Sequence, residues 1–521
     1  MGDSENRGPT GLGPDIASPS VWRGEEERSP GGQIFLTKGA ALLFLAVALE
    51  RLTCTTPDPD LWGYMAFGRL FWQTGGFPYR DVFAYLPTLN PWVYHEWLTG
   101  VLLYPLYESA GAPGLQVLKY VLGLAAVALI YLTARLRGAT PLAAILSLVL
   151  VQPFLGVGYS PVRAQIFTYA FFALTLYLLE RARNTGRWLA LWILIPLQVI
   201  WANLHGGFLA GLGLLALYAL GEGLSRRPFL FYLPVFLTAA LATALNPYGL
   251  EYWRYLAAAL SMPRPEITEW VSAYQAWGKG MFFREFLIFF LVAAFALFLS
   301  VRVRWRELTP FLALGLTFIL GVKHLRHQVF FFILTGAYLA VPLTRYLTLM
   351  QADPKLQALG KIGRRLGWPW PALLLAGGLA YYGYLIAAPG PLSFRLPSLP
   401  PPPGKTAMYY PTGAVAFIQE HKLSGNLLTD FDWGEYLIWT LAPRCRVSLD
   451  GRFETVYPAD ICREYFAFIY ARPGWRQFLA KYPPDLILVD CRSRICRLLQ
   501  DEPGWRQVYQ DAGSALFRRL P

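Results

Sequence analysis

The chain has 521 residues, of which 55% are hydrophobic and only 15% charged, and its mean hydropathy is +0.36. That balance excludes an ordinary soluble enzyme: apolar runs of 17 to 20 residues recur, and each can cross about 30 Å of hydrocarbon as a helix. The formal charge of +13 does not point to nucleic acid, because the arginines gather in short connections between apolar runs, a pattern set by membrane topology.

Residues 1–32 are rich in Gly, Pro, Ser and Glu and read as a disordered cytoplasmic tail. No basic segment leads into a short apolar one there, so the first span, near Ile34–Leu52, is expected to stay as an anchor. A long first outer loop, 53–114, follows. Within it, Asp60–Trp72 reads as a helix lying in the interface with its Trp and Phe toward lipid. Trp92–Tyr107 is apolar but short and reads as a juxtamembrane or re-entrant helix. Further spans are expected near Leu115–Ala134, Pro141–Val157, Ile166–Leu179, Leu189–Ala202, Phe208–Gly221, Phe229–Leu245, Phe286–Val301, Leu308–Val322, Val329–Leu343 and Trp370–Ala388, about eleven in all. The connections Arg135–Arg137, Arg181–Arg187, Arg226–Arg227, Arg302–Arg306 and Arg345–Arg365 are basic and alternate with the others. The positive-inside rule places them in the cytoplasm, with the N-terminus inside and the C-terminus outside.

The transmembrane domain, 33–389, ends in a Pro-rich linker, 390–407. Residues 408–521 then alternate short β-type runs with helical stretches, which predicts a small extracytoplasmic α/β domain. Cys445, Cys462, Cys491 and Cys496 lie in that domain and Cys54 just beyond the first span. In an oxidising compartment the four could form two disulfides, or they remain thiols. No C-x-x-C pair suggests zinc.

Threaded this way, the polar clusters share the outer face, and ionisable groups beside a membrane are costly and usually functional. Asp58 and Asp60, two residues apart, can hold a divalent cation (Mg or Mn), or one can act as a general base; either also suits a helix N-cap, with Asp60 the better placed for it. His95 and Glu96 are a second catalytic pair, on an otherwise aromatic and aliphatic segment. Arg80 and Asp81 form a further polar patch that fits either substrate or a surface ion pair. Arg163, and Asn203 with His205 in ANLHGGF, stand in outer turns as candidate substrate ligands. Glu269, in PEITEW, lies in a longer loop that could close over a substrate. Lys323, His324, Arg326 and His327 run against the positive-inside trend, and their cations suit a phosphate. Asp430, Asp432, Asp450 and Arg452 of the outer domain read first as turn-forming residues. No P-loop, dinucleotide-binding glycine motif, HExxH or nucleophile elbow is present.

DPDLWGYMAFGRL, GGFPYRDVFAY and PWVYHEWL, followed by many spans and an outer domain, resemble the C-type (GT-C fold) membrane glycosyltransferases. That class includes protein O-mannosyltransferases and the aminoarabinose transferase of lipid A, and the match here is to a bacterial branch. The resemblance covers Leu52–Tyr107 best. It implies a GT-C-like helical bundle in the bacterial inner or plasma membrane that transfers a hexosyl or pentosyl group. The donor would be a polyprenyl-phosphate sugar and the acceptor a glycan, lipid or protein. Asp58 and Asp60 match the acidic motif of the first outer loop. His95 takes the place of the His-Pro-Pro histidine, but Glu96 and Trp97 replace both prolines. A lipid or sugar transporter and a non-catalytic envelope-assembly protein are the alternative readings.

Overall fold

A computed structural model describes residues 31–262, 264–281, 283–352, 376–378, 380, 384, 390–402 and 407–521. Nearly all of the predicted N-terminal tail, most of the predicted span Trp370–Ala388 and the end of the Arg345–Arg365 connection lie outside the described residues.

The bundle begins with α1 (Gly31–Leu52), α2 (Pro59–Thr74), α3 (Trp97–Leu136), α4 (Pro141–Tyr159) and α5 (Gln165–Thr185). It continues with α6 (Leu194–Leu204), α7 (Phe208–Leu224), α8 (Tyr232–Ala242), α9 (Glu251–Ser261) and α10 (Ala273–Gly278). α11 (Phe283–Arg302), α12 (Leu308–Lys323), α13 (Gln328–Tyr338) and α14 (Ala340–Ala352) complete the described helices of this part. The expected spans that fall in the described residues each coincide with a helix, or with two abutting ones. Among the described residues, α3 alone is long and apolar enough to cross a bilayer unaided, and the stretch through α13 and α14 qualifies if its 43° bend is one broken span; the other apolar helices are shorter. Side chains such as Leu241 and Val301, 78% and 70% exposed, face outward from the bundle. Such a surface belongs in lipid, and the chain is an integral membrane protein.

Two helices correct the expectations for the first loop. α2 is not an interfacial helix: Leu61–Gly68 are buried. Trp62 sits among Phe394, Tyr410, Tyr436 and Trp439 rather than in lipid. The helix starts where Asp58 accepts from the Asp60 N–H and Pro59 supplies a preset φ; it stops at Gly75, whose φ of 64° only glycine adopts freely. The expected juxtamembrane helix is the first part of α3, which runs on into the span through a break at Gly111 (φ 60°) flanked by Pro105 and Pro113. α2 crosses α3 closely because Gly100 has no side chain; a Cβ there would lie 2.6 Å from the Tyr64 carbonyl.

The C-terminal part is a five-stranded sheet in the order β2-β1-β3-β5-β4, with helices around it. β1 (Gly425–Thr429) pairs in parallel with β2 (Cys445–Val447) and β3 (Leu486–Asp490); β5 (Ser514–Arg519) runs antiparallel to β3 and to β4 (Trp505–Gln510). The sheet does not stand apart from the bundle. The first outer loop adds to its β2 edge: Val447 donates to the Phe83 carbonyl (2.9 Å) and Tyr85 to that of Val447 (3.0 Å). The Gly434–Leu441 helix packs against α2, and Trp62, Tyr64 and Phe67 share one apolar core with Leu427, Val447 and Leu488. All five cysteines are free thiols in this fold, so the two possible disulfides are not formed.

Candidate active site

The N-termini of α2, α3 and α5, the link between α6 and α7, the C-terminus of α12 and the sheet domain meet around a cavity of about 360 Å³. It is lined by eight carboxylates (Asp58, Asp60, Glu96, Glu266, Glu269, Asp432, Glu435 and Glu454) and three guanidiniums (Arg163, Arg326 and Arg452). A second chamber of about 190 Å³ shares His95, Gln165, His205, Trp270, Arg326 and Glu454 with it. The second chamber is otherwise walled largely by apolar side chains of α7, α9 and α13, among them Leu209, Leu256, Leu260 and Phe330.

Arg163 organises the first chamber. Its guanidinium meets Asp58 (3.2 Å), Asp60 (2.7 Å) and Glu269 (2.5 Å). One cation cannot neutralise three carboxylates. Burial pushes the Asp58 carboxyl up to about 8, with Arg163 opposing and Asp60 adding to the shift. Against the effect of burial, Arg163 and Arg326 hold Glu269 down at about 2. The capping roles are the reverse of the expected ones: Asp58 is the N-cap, while Asp60, in the first turn, turns one oxygen to Arg163. Its other oxygen, Oδ1, stands beside Gly451.

Glu96 is held by imidazole. His205 Nδ1 faces the Gly207 N–H (2.9 Å) and the Thr168 hydroxyl (2.7 Å), and Thr168 in turn accepts from the Trp201 indole (2.7 Å). Nδ1 is therefore an acceptor, and the proton sits on Nε2, 3.4 Å from Glu96 Oε1. His95 reaches Tyr255 through Nδ1 (3.2 Å) and Glu96 through Nε2 (3.6 Å). Burial, with Arg326 and Arg264 nearby, holds His95 down at about 3, so it is neutral. Burial and the Asp60 charge push Glu96 up to about 8.

The cation of Arg326 is differently placed. Its guanidinium lies over the Trp270 ring at 4.6 Å, as does that of Arg264 at 4.2 Å. Arg264 pairs with Glu454 (2.9 Å), but Arg326 has no ion-pair partner among the described residues. It lines both chambers.

The structure thus brings Asp58, Asp60, His95, Glu96, Arg163, His205, Glu269 and Arg326 to one cavity, with His327 in the adjoining chamber. Five candidates lie elsewhere. Arg80 is exposed and lines neither chamber. Asp81 is buried against Arg452 and caps the Phe83 and Ala84 amides, so it docks the loop to the sheet domain. Asn203 is saturated: it accepts from the Trp97 indole (2.8 Å) and donates to the Val199 and Leu245 carbonyls. Lys323 is exposed on the last turn of α12. His324 donates through Nδ1 to the Trp270 carbonyl (2.6 Å), placing that ring rather than lining the cavity.

Glu435 escapes a reading of the sequence. It is 3% exposed, accepts from the Gly63 N–H of α2 (3.1 Å), and is pushed well above the usual carboxylate range by burial and by Asp60. Only the GEYLIWTL pattern hinted at a helix there, and nothing in it says that the helix packs on α2. Asp450 accepts from the Arg452 N–H (3.0 Å), as a turn former does, and also holds the Arg452 and Tyr457 side chains, whereas Asp430 accepts from the distant Asp490 N–H (2.6 Å) and ties two segments together instead of forming a turn. Asp432 and Arg452, by contrast, reach the cavity wall.

For a divalent cation, the described residues offer no cluster of three or more His, Cys, Asp or Glu side chains arranged as ligands. Asp58 and Asp60 turn toward Arg163 instead, so the donor set does not fit Mg or Mn as it stands.

No protein-family model and no curated protein matches this chain. Among solved structures, ArnT from Cupriavidus metallidurans in the apo state superposes with a TM-score of 0.50 and 15% identity, covering 94% of this chain and 98% of that one. The same protein bound to undecaprenyl phosphate gives 0.47 and 13%, with 94% and 98% coverage. The arabinofuranosyltransferase AftD from Mycobacteria gives 0.47 and 14%, with 94% of this chain matched to 40% of that chain. The chain therefore has the fold of ArnT, a helical membrane bundle carrying a small C-terminal sheet domain.

Proposed function

We propose that this protein is a membrane glycosyltransferase that moves a sugar from a polyprenyl-phosphate donor to an acceptor on the extracytoplasmic face. The observation that carries the reading is Arg326, a guanidinium with no carboxylate partner among the described residues, standing where a polar chamber meets an apolar one. A polyprenyl-phosphate sugar has that sequence of parts: a polar sugar, an anion, and an isoprenoid tail. The tail suits the chamber between α7, α9 and α13, the phosphate suits Arg326, and the sugar suits the carboxylate-lined cavity. The resemblance of the first outer loop to the C-type transferases agrees with this assignment.

In the transfer, the acceptor hydroxyl oxygen attacks the anomeric carbon. The bond from that carbon to the phosphate oxygen breaks, and its electron pair leaves with the polyprenyl phosphate. Asp60 takes the hydroxyl proton through Oδ1, the oxygen not bound to Arg163. Arg163 orients Asp58, Asp60 and Glu269, and Arg326 stabilises the charge that grows on the leaving phosphate. Glu96, fixed by His205, borders the sugar.

The basic connections support a cytoplasmic N-terminus and an extracytoplasmic sheet domain. The transporter reading is less well supported, because the charged groups sit at helix ends rather than in broken helices at mid-depth. The test is turnover by the full chain in lipid nanodiscs with a polyprenyl-phosphate sugar and a panel of glycan, lipid and protein acceptors. Release of polyprenyl phosphate with a glycosylated acceptor supports the reading. Movement of intact donor between leaflets, with no cleavage, supports a transporter instead.

A further inference from the structure

The cavity has two unlike walls. Arg326 lies close enough to His95, Glu96, His205 and Glu269 to bias their protonation. The charges that act most on Glu435 are instead Asp60, Asp450, Arg452 and Glu96. This second wall comes from the sheet domain: Phe431, Asp432, Glu435 and Gly451. Glu435 is nine-tenths buried or more, and Oε2 is occupied by the Gly63 N–H. Oε1 has no hydrogen-bond partner among the described residues and faces the gap at Gly451. A Cβ on Gly451 would lie 2.9 Å from Glu435 Oε1 and 3.0 Å from Asp60 Oδ1. A glycine thus keeps open a notch between two unpartnered carboxyl oxygens, one from the bundle and one from the sheet domain. Arg452, the cation on this wall, is already bound by Asp450 and Asp81.

We propose that this notch is the acceptor subsite, and that it selects a hydroxyl-rich saccharide, neutral or amino-substituted, with no anionic group near the reacting hydroxyl. The proposal rests on the transferase reading and names the acceptor class within it. Displacement at the anomeric carbon brings the acceptor in opposite the departing phosphate, and Arg326 is not among the charges that act most on Glu435. In the notch, the Asp60 carboxylate accepts from a hydroxyl or ammonium group and repels phosphate or carboxylate, while Glu435, whose carboxyl burial biases toward the neutral form, hydrogen-bonds a hydroxyl. Phe431 offers an aromatic face beside them. The acceptor hydroxyl then lies between Asp60 Oδ1, which takes its proton, and Glu435 Oε1, which orients it.

The test uses the full chain in nanodiscs with undecaprenyl phosphate present. Methyl glucoside, methyl glucosaminide and glucose 6-phosphate are titrated by calorimetry. The expected result is that glucose 6-phosphate binds at least about tenfold more weakly than methyl glucoside, and that Asp60→Asn shrinks the gap below about threefold. Gly451→Ala, which fills the notch, should abolish saturable sugar binding while undecaprenyl phosphate still binds. Equal or tighter binding of glucose 6-phosphate, an unchanged gap in Asp60→Asn, or no saturable binding of any of the three sugars would overturn the proposal. If undecaprenyl phosphate does not bind but the sugar discrimination holds, the donor assignment falls and the subsite stands.

Discussion

Two charged clusters occupy opposite ends of the same helices, and they are built on different principles. At the end away from the cavity, Arg137 meets Glu180 (2.6 Å) and Glu307 (2.9 Å), while Arg183 meets Glu222 (3.1 Å) and Glu307 (3.1 Å). Hydroxyls take up further lone pairs: Tyr218 donates to Glu180 and Thr309 to Glu222, each at 2.6 Å. Every acid there has a cation. At the cavity end, eight carboxylates face three guanidiniums, and Asp60 Oδ1, Glu435 Oε1 and Arg326 keep unused valence. Compensation, rather than charge itself, separates a structural clamp from a site prepared for a ligand. It also shows that arginines gathered by topology can be recruited into the fold, since the Arg137 side chain is only 5% exposed.

The contrast is sharpest in mutants. Asp60→Asn should cost about 10²- to 10⁴-fold in transfer rate while the protein still folds, because it removes the base and keeps the shape. Arg137→Ala should instead cost about 3 to 5 kcal/mol of stability by taking the nearest cation from the buried Glu180 and leaving Arg183 alone to serve Glu180, Glu222 and Glu307, with activity lost only in proportion to unfolding. Melting curves beside turnover on folded protein separate the two. A folded, fully active Asp60→Asn protein would remove the base assignment.

A smaller effect is expected at Arg326. A charge-assisted contact to phosphate contributes about 1.5 to 3 kcal/mol, so Arg326→Ala should weaken binding of undecaprenyl phosphate about tenfold or more. Binding of the uncharged polyprenol should change little, and so should the melting temperature, since no ion-pair partner is stranded. Lys323→Ala, in the same basic stretch but exposed, should leave affinity for both lipids nearly unchanged.

The two ends should also diverge with pH. Asp58 has a folded pKa raised to about 8 by burial, above its unfolded value. The folded state then holds a proton that the unfolded state has lost, so stability declines as pH rises from the unfolded carboxylate range through about 8. Glu307, held down at about 2 by Arg137 and the Trp305 indole against the effect of burial, has the opposite sign. Its contribution is present above the unfolded pKa and is lost only as pH falls through about 2. Between pH 6 and 9 the melting temperature of the wild type should therefore fall, and fall less in Asp58→Asn, whereas Glu307→Gln should leave the slope unchanged. The smallest effect belongs to Arg80→Ala, which should stay within about 0.5 kcal/mol of wild type in denaturation.

Much of this is legible in the sequence. Asp58, His95, Arg163, His205, Glu269 and Arg326 span most of the bundle's sequence, and threading apolar runs through a bilayer was enough to put them on one face. The helices followed from the same hydropathy, and the sheet domain from its alternating short runs. Hydropathy cannot show which polar groups are already satisfied. Asn203 and Asp81 look like ligands in a string of letters, but both are bound by partners far along the chain, Leu245 and Arg452. Glu435 was hidden for the converse reason: an acid on a short amphipathic helix gains meaning only when that helix lies on Gly63. The burial of α2 was missed because its aromatic residues fit lipid as well as they fit the face of a second domain.

The most direct test of the whole account is a structure of the full chain in nanodiscs with a polyprenyl-phosphate sugar bound. The phosphate should lie within hydrogen-bonding distance of Arg326, the first isoprene units between α7, α9 and α13, and the anomeric carbon facing Asp60 Oδ1. A phosphate seated at the Arg137–Arg183 end, or a sugar outside the carboxylate-lined cavity, would contradict it.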